Sequence, residues 1–472
     1  MTIRTRFAPS PTGFLHVGSV RTALFAYLLA KQSGGSYVLR FEDTDKKREV
    51  EGSREHLLTS LKALGVNHDE GPDIGGPYEP YTQSERLSHY QEWAQKLIDA
   101  GRAYADPYSS EEVQAFRDQA NAEKRAFLYR DHRPENPPAW DGTTPLRFKS
   151  DPKSYTWQDE VMGEMVARPE NIDDFVLMKS DGYPTYDFAH IVDDAEMEIT
   201  HVIRGQEFIS SVPKYLNFYE ALGLTPPKLA HVPHILKEQG NKKMGKRDGA
   251  KDVLEYIRNG YLPEAMIGFI ATLGWNDGTT QEIYTHDELV AKFSLNRVQR
   301  SGARFDEQRL LWMNGHFIRE LQLDELYERS QDFWPQNATD ADTAYKKQVL
   351  ELAQDRLKTL NDLKSFGYFF ENPSPDWNLI DSNKQLKKLE KAEINDLLSQ
   401  SIESLKTIKD WTASDIQNQL NQLLETTGQK PGVLFSLIRI VTTWANFSPQ
   451  LNDTLALIGR EETISRIERA IN

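Results

Sequence analysis

The chain of 472 residues contains no cysteine. Without thiols it cannot form disulfides, thiolate zinc sites or iron–sulfur centres, and it has no cysteine nucleophile. Long apolar runs are lacking as well, because the longest, residues 23–30, is far shorter than the roughly 20 residues that a membrane-spanning helix needs. We therefore expect a protein of a reducing compartment, the cytoplasm, with no membrane partner.

Positive charge is in deficit. The sequence has 56 Lys and Arg against 71 Asp and Glu, a formal net charge of −15. Such acidity alone argues against indiscriminate binding to polyanions such as nucleic acids. A Walker A string, a Gly-x-Gly-x-x-Gly fingerprint and a Gly-x-Ser-x-Gly nucleophile elbow are also missing. Composition is otherwise that of a globular protein, with 39% hydrophobic and 27% charged residues, long enough for about three domains.

The first forty residues predict a strand, a helix and a second strand. Residues 3–8 are strand-like, and Val17, Val20 and Leu24 recur at the three- and four-residue spacing of a helix face. A second strand is predicted over residues 37–41, after a pair of glycines. A βαβ unit of this kind normally belongs to a parallel sheet with a right-handed crossover.

The rest of the chain divides into two parts. Residues 109–127 predict a helix, and irregular and strand-like pieces follow to about residue 185, which indicates a domain inserted into the first one. A strand over residues 198–203 then continues the open sheet. Beyond residue 317 the pattern becomes helical, with long amphipathic stretches such as 340–363 and 392–407.

The segment that joins the first strand to the first helix is a candidate phosphate site. The unpaired N–H groups and positive end of a helix N-terminus favour phosphate. His16 can donate a hydrogen bond to a phosphate oxygen, and Gly18 has no Cβ to keep a nucleotide away from the backbone. An isolated His-x-Gly is more often an ordinary helix cap, so the surrounding string must carry the assignment.

Charges of opposite sign follow the predicted strands. Arg6 lies in the first strand, Glu42 follows the second and Arg204 ends the later one. Ligands of open α/β sheets bind beyond the carboxyl ends of the strands, so these side chains could share one pocket. A carboxylate suits the ammonium of an amino acid, and a guanidinium suits a carboxylate. Alone, these residues would more often be surface charges.

A basic, glycine-containing loop, Lys242-Lys243-Met244-Gly245-Lys246-Arg247-Asp248-Gly249, inverts the global charge locally. A mobile cationic loop can close over a triphosphate and stabilise the charge that grows on phosphorus during transfer. Lys292, Arg297, Arg300 and Arg304 form a second basic stretch without an acid. Each is a candidate surface for a polyanion.

Taken together, these strings are those of one family, and the chain resembles the bacterial glutamyl-tRNA synthetases, class I aminoacyl-tRNA synthetases, along essentially its whole length. The matching motifs are Pro-Ser-Pro-Thr-Gly at 9–13, His-Val-Gly-Ser at 16–19, Glu-Asp-Thr-Asp at 42–45, Lys-Met-Gly-Lys-Arg at 243–247, and segments 184–186, 192–194, 201–207, 273–275, 312–315 and 430–432. So many strings in the right order make coincidence negligible.

The resemblance implies an α/β fold with four parts. A Rossmann-like catalytic domain is expected at residues 1–105 and 186–240, and an inserted α+β domain that binds the tRNA acceptor end at 106–185. A stem-contact domain with the basic loop is expected at 241–320, and an all-α anticodon-binding domain at 321–472.

The resemblance also implies a reaction. Glutamate and ATP form glutamyl-adenylate, and the glutamyl group passes to the 2′-hydroxyl of the terminal adenosine of the tRNA for glutamate, with the tRNA for glutamine left open as a second substrate. Mg²⁺ is expected with ATP, and the protein is expected to be a monomer. The implied residues are, for catalysis, His16, Lys243 and Lys246; for ATP, these three with Gly18, Glu207 and Arg247; for glutamate, Arg6, Ser10, Glu42, Tyr186, His190 and Arg204.

The sequence departs from the family pattern in two places. Relatives with zinc in the inserted domain carry a Cys-x-Cys pair near Asp106, so no zinc is expected here and packing alone should hold the insertion. The serine of the signature loop is replaced by Gly245. Two other functions stay open: a glutaminyl-tRNA synthetase, which the helical C-terminal third disfavours, and a class I nucleotidylyltransferase, which leaves the last 200 residues without a role.

Overall fold

A computed structural model describes residues 2–240, 242–244, 252–445 and 447–471. The chain divides into two compact units, which we describe separately. The first comprises Met1–Tyr256 and Met266–Glu307, and the second comprises Ile257–Ala265 and Gln308–Asn472. The segment 241–320, predicted as a stem-contact domain, is thus divided between the two units, and its separate status stays a prediction.

In the described residues, the strands all precede residue 305. They are β1 Arg4–Phe7, β2 Ser36–Leu39, β3 Ala103–Ala105, β4 Leu146–Phe148, β5 Tyr155–Asp159, β6 Gly163–Ala167, β7 Val176–Met178, β8 His201–Gly205, β9 Lys228–Val232, β10 Ile235–Leu236 and β11 Ala303–Arg304.

The helices occur throughout the chain and dominate its last third. They are α1 Val17–Gln32, α2 Ser53–Ala63, α3 Leu87–Asp99, α4 Ser110–Ala122, α5 Tyr186–Glu196, α6 Val212–Ala221, α7 Val253–Arg258, α8 Pro263–Ala271, α9 His286–Lys292, α10 Glu307–Glu320, α11 Leu323–Arg329, α12 Thr343–Ala353, α13 Asn378–Asp381, α14 Lys391–Lys406, α15 Ala413–Thr427, α16 Pro431–Thr443, α17 Leu451–Ile458 and α18 Arg460–Ala470.

A six-stranded sheet of order β2-β1-β8-β9-β5-β6 forms the centre of the first unit. All its neighbours are parallel except β5 and β6, which form an antiparallel hairpin at one edge. The predicted βαβ unit is confirmed, since β1 and β2 are parallel and α1 connects them. The predicted strand at 198–203 begins three residues late, at His201, because Glu198 has a φ of 54° in the left-handed region and belongs to a turn.

The range predicted for the inserted domain, residues 106–185, does not match the strands of any one sheet. A second, antiparallel sheet of order β3-β4-β7 pairs β3, which precedes the predicted insertion, with β4 inside it. Conversely, β5 and β6 lie inside the predicted 106–185 range but extend the main sheet through β9. The predicted helix over 109–127 ends at Ala122, before Lys124 adopts a φ of 55°.

Two buried carboxylates hold this antiparallel region together, so the expectation that packing alone does so is wrong. Asp106 accepts a hydrogen bond from Tyr129 (2.5 Å) and pairs with Arg147 at 2.6 Å, and the Arg147 guanidinium lies over the Tyr129 ring. Asp174 pairs with Arg133 at 2.6 Å and accepts the hydroxyl of Tyr104 at 2.8 Å. A buried ionic network connects segments far apart in sequence there.

Replacing Asp106 by alanine should lower the free energy of unfolding by about 3 kcal/mol, because it leaves the largely buried Arg147 guanidinium without its carboxylate. Unfolding in urea measures this effect, through the urea concentration at the midpoint of the transition. Asp131→Ala is the control, since the Asp131–Arg125 pair is about half exposed at 3.8 Å and should contribute under about 1 kcal/mol. Equal shifts for the two variants would contradict the network's role.

In the described residues of the second unit, every secondary-structure element is a helix. Its core includes Leu398 of α14, Leu437 of α16 and Leu455 of α17, none of them exposed to solvent. The predicted helix over 340–363 is broken: α12 ends at Ala353, and a 3₁₀ helix starts at Leu360. Asp362 causes the break by accepting the backbone N–H groups of residues 358 and 359, which starts the new helix.

Candidate active site

A cavity of about 550 Å³ opens beyond the carboxyl ends of β1, β8 and β9. This is the position at which ligands bind in open parallel sheets. Nine of the residues implied by the resemblance line it: Arg6, Ser10, His16, Gly18, Glu42, Tyr186, Arg204, Glu207 and Lys243. Residues up to 237 positions apart in sequence, Arg6 and Lys243, therefore meet in one pocket. Lys246, Arg247 and Gly245 lie outside the described residues.

His16 caps helix α1 with its side chain. Its Nδ1 accepts the backbone N–H of Gly18 at 3.1 Å and that of Ser19 at 3.4 Å. A ring nitrogen that accepts two N–H groups cannot carry a proton in the neutral ring, so the proton is on Nε2. A Cβ at Gly18 would lie 3.2 Å from the His16 ring, which explains glycine there. The cap thus fixes the ring in the pocket wall, where Nε2 lies 3.3 Å from the hydroxyl oxygen of Ser19.

Arg40, which sequence reasoning missed, lies immediately behind the pocket. It is fully buried, and its guanidinium lies 3.0 Å from Glu42, 2.9 Å from Asp194 and 3.5 Å from Asp193. Burial would lower the pKa of Arg40, but the three carboxylates outweigh burial and raise it. The available signal was a single arginine in an otherwise apolar strand segment, since Val38, Leu39 and Phe41 surround it.

Glu42 is a carboxyl group whose pKa lies near neutral pH. Burial raises the pKa of Glu42 to about 7, although Arg40 and Arg6 oppose the rise. Its carboxylate faces the cavity and accepts one hydrogen bond from Arg40. The charge of this group therefore changes within the physiological pH range.

Arg6 is fixed by a direct ion pair. Its guanidinium donates two hydrogen bonds to Asp194, at 3.0 and 3.4 Å, and both side chains are nearly inaccessible. Burial would raise the pKa of Asp194, but Arg6 and Arg40 lower it overall, so Asp194 is ionised. The charge of Arg6 is thereby compensated within the protein.

His190 was implied as a glutamate contact, but it does not line the pocket. It follows Tyr186 by one turn of α5, and its ring packs between Tyr186, with centroids 4.9 Å apart, and Tyr215, at 4.6 Å. It faces a small neighbouring cavity instead. Burial lowers the pKa of His190 to about 4, so the ring is neutral. His190 therefore lies on the inward side of α5, beside the main pocket, and its contact with glutamate stays a prediction.

The opposite wall of the pocket is formed by groups suited to a nucleotide. Glu207 pairs with Lys243 at 3.3 Å, and His234 lies 3.6 Å from the same carboxylate. Burial would raise the pKa of Glu207, but a backbone hydrogen bond and Lys243 lower it overall. Lys243 remains half exposed, so it can exchange this partner for a phosphate.

The described ranges contain no cluster of three or more histidine and acidic side chains arranged for a metal ion. In the same ranges, no helix combines the length and apolarity that crossing a membrane requires.

The fold and the site define a class of protein. The family model for the catalytic domain of the class I tRNA synthetases for glutamate and glutamine matches residues 2–312. The family model for an anticodon-binding domain matches residues 325–471. The catalytic unit is therefore that of a class I aminoacyl-tRNA synthetase, and a helical anticodon-binding domain follows it.

Full-length relatives narrow the class to one family. The chain is 38% identical to the glutamate–tRNA ligase of Clostridium botulinum strain Hall, covering 100% of this chain and 98% of the relative, and 38% identical to that of Clostridium acetobutylicum, covering 99% and 98%. The crystal structure of a glutamate–tRNA ligase from Elizabethkingia meningosepticum in complex with its amino acid matches with a TM-score of 0.88 at 33% identity, over 100% of this chain and 99% of that one. The chain belongs to the glutamate–tRNA ligase family.

Proposed function

We propose that this protein attaches glutamate to tRNA at the expense of ATP. A carboxylate oxygen of glutamate attacks the α-phosphorus of ATP, and pyrophosphate leaves. The 2′-hydroxyl of the terminal adenosine then attacks the carbonyl of glutamyl-adenylate, so that an ester forms and AMP leaves. Membership of the glutamate–tRNA ligase family supports this reaction over the glutaminyl and nucleotidylyltransferase alternatives.

The single observation that carries the proposal is a buried carboxylate and two guanidinium groups on the wall of one pocket. Glu42 takes the ammonium of glutamate, and Arg6 and Arg204 share its two carboxylates. Ser10 and Tyr186 complete this half of the pocket with hydroxyl groups. A dianionic amino acid with one cationic group fits this charge pattern, and a neutral side chain would leave a guanidinium without a partner.

On the other wall, the groups beside α1 bind ATP. His16 donates Nε2–H to a phosphate oxygen, while the Gly18 backbone and the positive end of α1 favour the negative charge. Glu207 and Lys243 bind nearby, and we assign Lys246 and Arg247 to the phosphates from the loop motif. Mg²⁺ would enter with ATP as part of the substrate.

The macromolecular partner is the tRNA for glutamate, and the tRNA for glutamine is the second candidate. The basic stretch of residues 292–304 offers a surface of the right sign in an otherwise acidic chain. We further propose that the protein acts as a monomer in the cytoplasm.

Glutamate-dependent exchange of labelled pyrophosphate into ATP tests the first step. We expect exchange with glutamate, measured with and without tRNA, and little with glutamine. Absence of exchange under both conditions would refute the proposed function.

The KM for glutamate should rise about tenfold as the pH falls from 8 to 6. Glu42 is ionised above its pKa of about 7 and loses its charge below it, so acid removes the partner of the ammonium. His231 and His234 do not oppose this trend, because burial lowers their pKa values. A glutamate KM that stays constant across this range would contradict the role of Glu42.

A further inference from the structure

The guanidinium of Arg204 is held differently from that of Arg6. It is 6% exposed and lies over the rings of Tyr215 and Phe208, at 4.9 and 5.1 Å. In the described part of the chain no carboxylate forms an ion pair with it, and its Nη1 is buried without a hydrogen-bond partner. Among the described residues, the one side-chain hydrogen bond of Arg204 runs from Nε to Nε2 of His231, at 3.3 Å. One edge of the guanidinium is therefore fixed, and another is unsatisfied.

His231 receives its own support from Asp159. The two side chains are 0% and 1% exposed, and Nδ1 of the ring lies 2.5 Å from one carboxylate oxygen. The other oxygen accepts three backbone N–H groups, from His231 and from residues 161 and 162. Burial would raise the pKa of Asp159, but these hydrogen bonds lower it, so the carboxylate is ionised.

These contacts determine the tautomer of His231. Burial lowers the pKa of the ring, so it is neutral. The carboxylate accepts a hydrogen bond from Nδ1–H. The proton of the neutral ring is therefore on Nδ1, and the lone pair on Nε2 accepts a hydrogen bond from Nε–H of Arg204. Asp159 is the last residue of β5, and His231 and Arg204 are the last but one of the adjacent parallel strands β9 and β8. Arg204 is paired with His231 in the β8–β9 register.

We propose that Asp159 and His231 are positioning residues that fix Arg204 for a substrate carboxylate. The sheet supplies the alignment, the carboxylate sets the tautomer, and the ring nitrogen directs the guanidinium. This inference rests on the proposed function, since it concerns the same amino-acid pocket.

Holding Arg204 through His231 has an electrostatic consequence that a direct ion pair with Asp159 would lack. Arg6 faces an ionised carboxylate, which compensates its charge, whereas Arg204 contacts a neutral ring acceptor. The negative charge of Asp159 lies beyond the ring, farther from the guanidinium than a direct partner would be. Because Coulomb attraction falls with distance, Arg204 keeps more of its charge for the substrate. Orientation is thus obtained without neutralising the group that binds.

Asp159→Asn is the most direct test, because it reverses the tautomer while preserving size. The three backbone donors will hold the amide oxygen, so the NH₂ group faces Nδ1 of His231 and forces the proton onto Nε2. Nε2–H of His231 and Nε–H of Arg204 then point at each other, and neither can accept a hydrogen bond. We expect the KM for glutamate to rise about 10- to 100-fold, the size of loss seen in metal sites when the carboxylate that orients a histidine is removed, with the KM for ATP unchanged.

A second pair of variants, at His231, tests the same inference even if Asp159→Asn does not fold. His231→Leu removes the acceptor and should raise the glutamate KM to a similar extent, whereas His231→Gln supplies an amide oxygen to Arg204 and should restore most of it. His201→Gln is the matched control: it changes a histidine at the other end of β8, whose Nδ1 contacts the hydroxyl of Thr200, and should leave both KM values unchanged.

Glutamate titration calorimetry on the full chain gives the same readout without catalysis. Equal KM values for the Leu and Gln variants, an unchanged glutamate KM in Asp159→Asn, or a parallel rise in the ATP KM would each overturn the inference. If the parent protein itself neither binds nor activates glutamate, the proposed function fails instead, so the two failures are distinguishable.

Discussion

His16→Ala should slow glutamyl-adenylate formation about 10²- to 10³-fold at saturating substrates, while the KM values change much less. Adenylation adds negative charge to the α-phosphate as the fifth oxygen bonds, and the Nε2–H of His16 donates to that charge most strongly at the transition state. Loss of one preorganised donor of this kind costs a factor of this size. Single-turnover consumption of ATP in the presence of glutamate and tRNA measures it.

His16 also caps α1, and His16→Asn separates the two roles. Asparagine is a good helix cap, so it should retain the hydrogen bonds to residues 18 and 19 and the stability of the parent, but its short side chain has no group at the position of Nε2. We expect the Asn variant to be nearly as slow as the Ala variant and to melt near the parent temperature. Recovery of the adenylation rate with asparagine would mean that the cap, not the phosphate contact, matters.

Arg40→Met should raise the KM for glutamate more than tenfold at pH 7.5 and shift the acid limb of its pH profile to higher pH. The arginine holds three carboxylates together, and without it Glu42 loses its strongest cationic neighbour. The pKa of Glu42 then rises further. In the variant the carboxyl group is therefore protonated at a pH at which, in the parent protein, it is ionised and binds the ammonium. Glutamate KM measured from pH 6.5 to 9 follows this shift.

Stability should fall as well, because removing one partner of a buried ion-pair group costs about 3–5 kcal/mol. Arg40→Lys keeps the charge on a smaller head group and should give an intermediate pH shift with a smaller loss of stability. Arg54→Met is a matched control, since that arginine also pairs with two carboxylates, Asp43 and Glu49, but is one-third exposed and does not contact Glu42. An acid limb that stays in place in Arg40→Met would contradict the account of Glu42.

The sequence was informative where one signal determined the outcome. Apolar spacing from Val17 to Leu24 predicted α1 and the parallel β1–β2 pair, because a helix with one apolar face between two strands can be connected in few other ways. The sequence motifs likewise identified most of the pocket lining, since those at 9–13, 16–19 and 42–45 follow β1 and β2 or start α1 at one edge of the sheet.

Other features depend on partners distant in sequence, and local pattern could not predict them. Arg40 and Asp194 are 154 positions apart, and Asp159 was assigned to the insertion although it supports the pocket from the end of β5. The position of His190 depends on which side of α5 faces the core, and the motif one turn earlier does not decide it. Helix ends set by single polar contacts, such as those of Asp362, were missed for the same reason.

The most direct test of the central claim is aminoacylation with the purified full chain. Labelled glutamate or labelled glutamine is incubated with ATP, Mg²⁺ and separately purified tRNA species for glutamate and for glutamine, and the alkali-labile ester on tRNA is counted. The account predicts glutamyl ester on the tRNA for glutamate and no glutaminyl ester on either species. No ester with glutamate, or faster charging with glutamine, would contradict it.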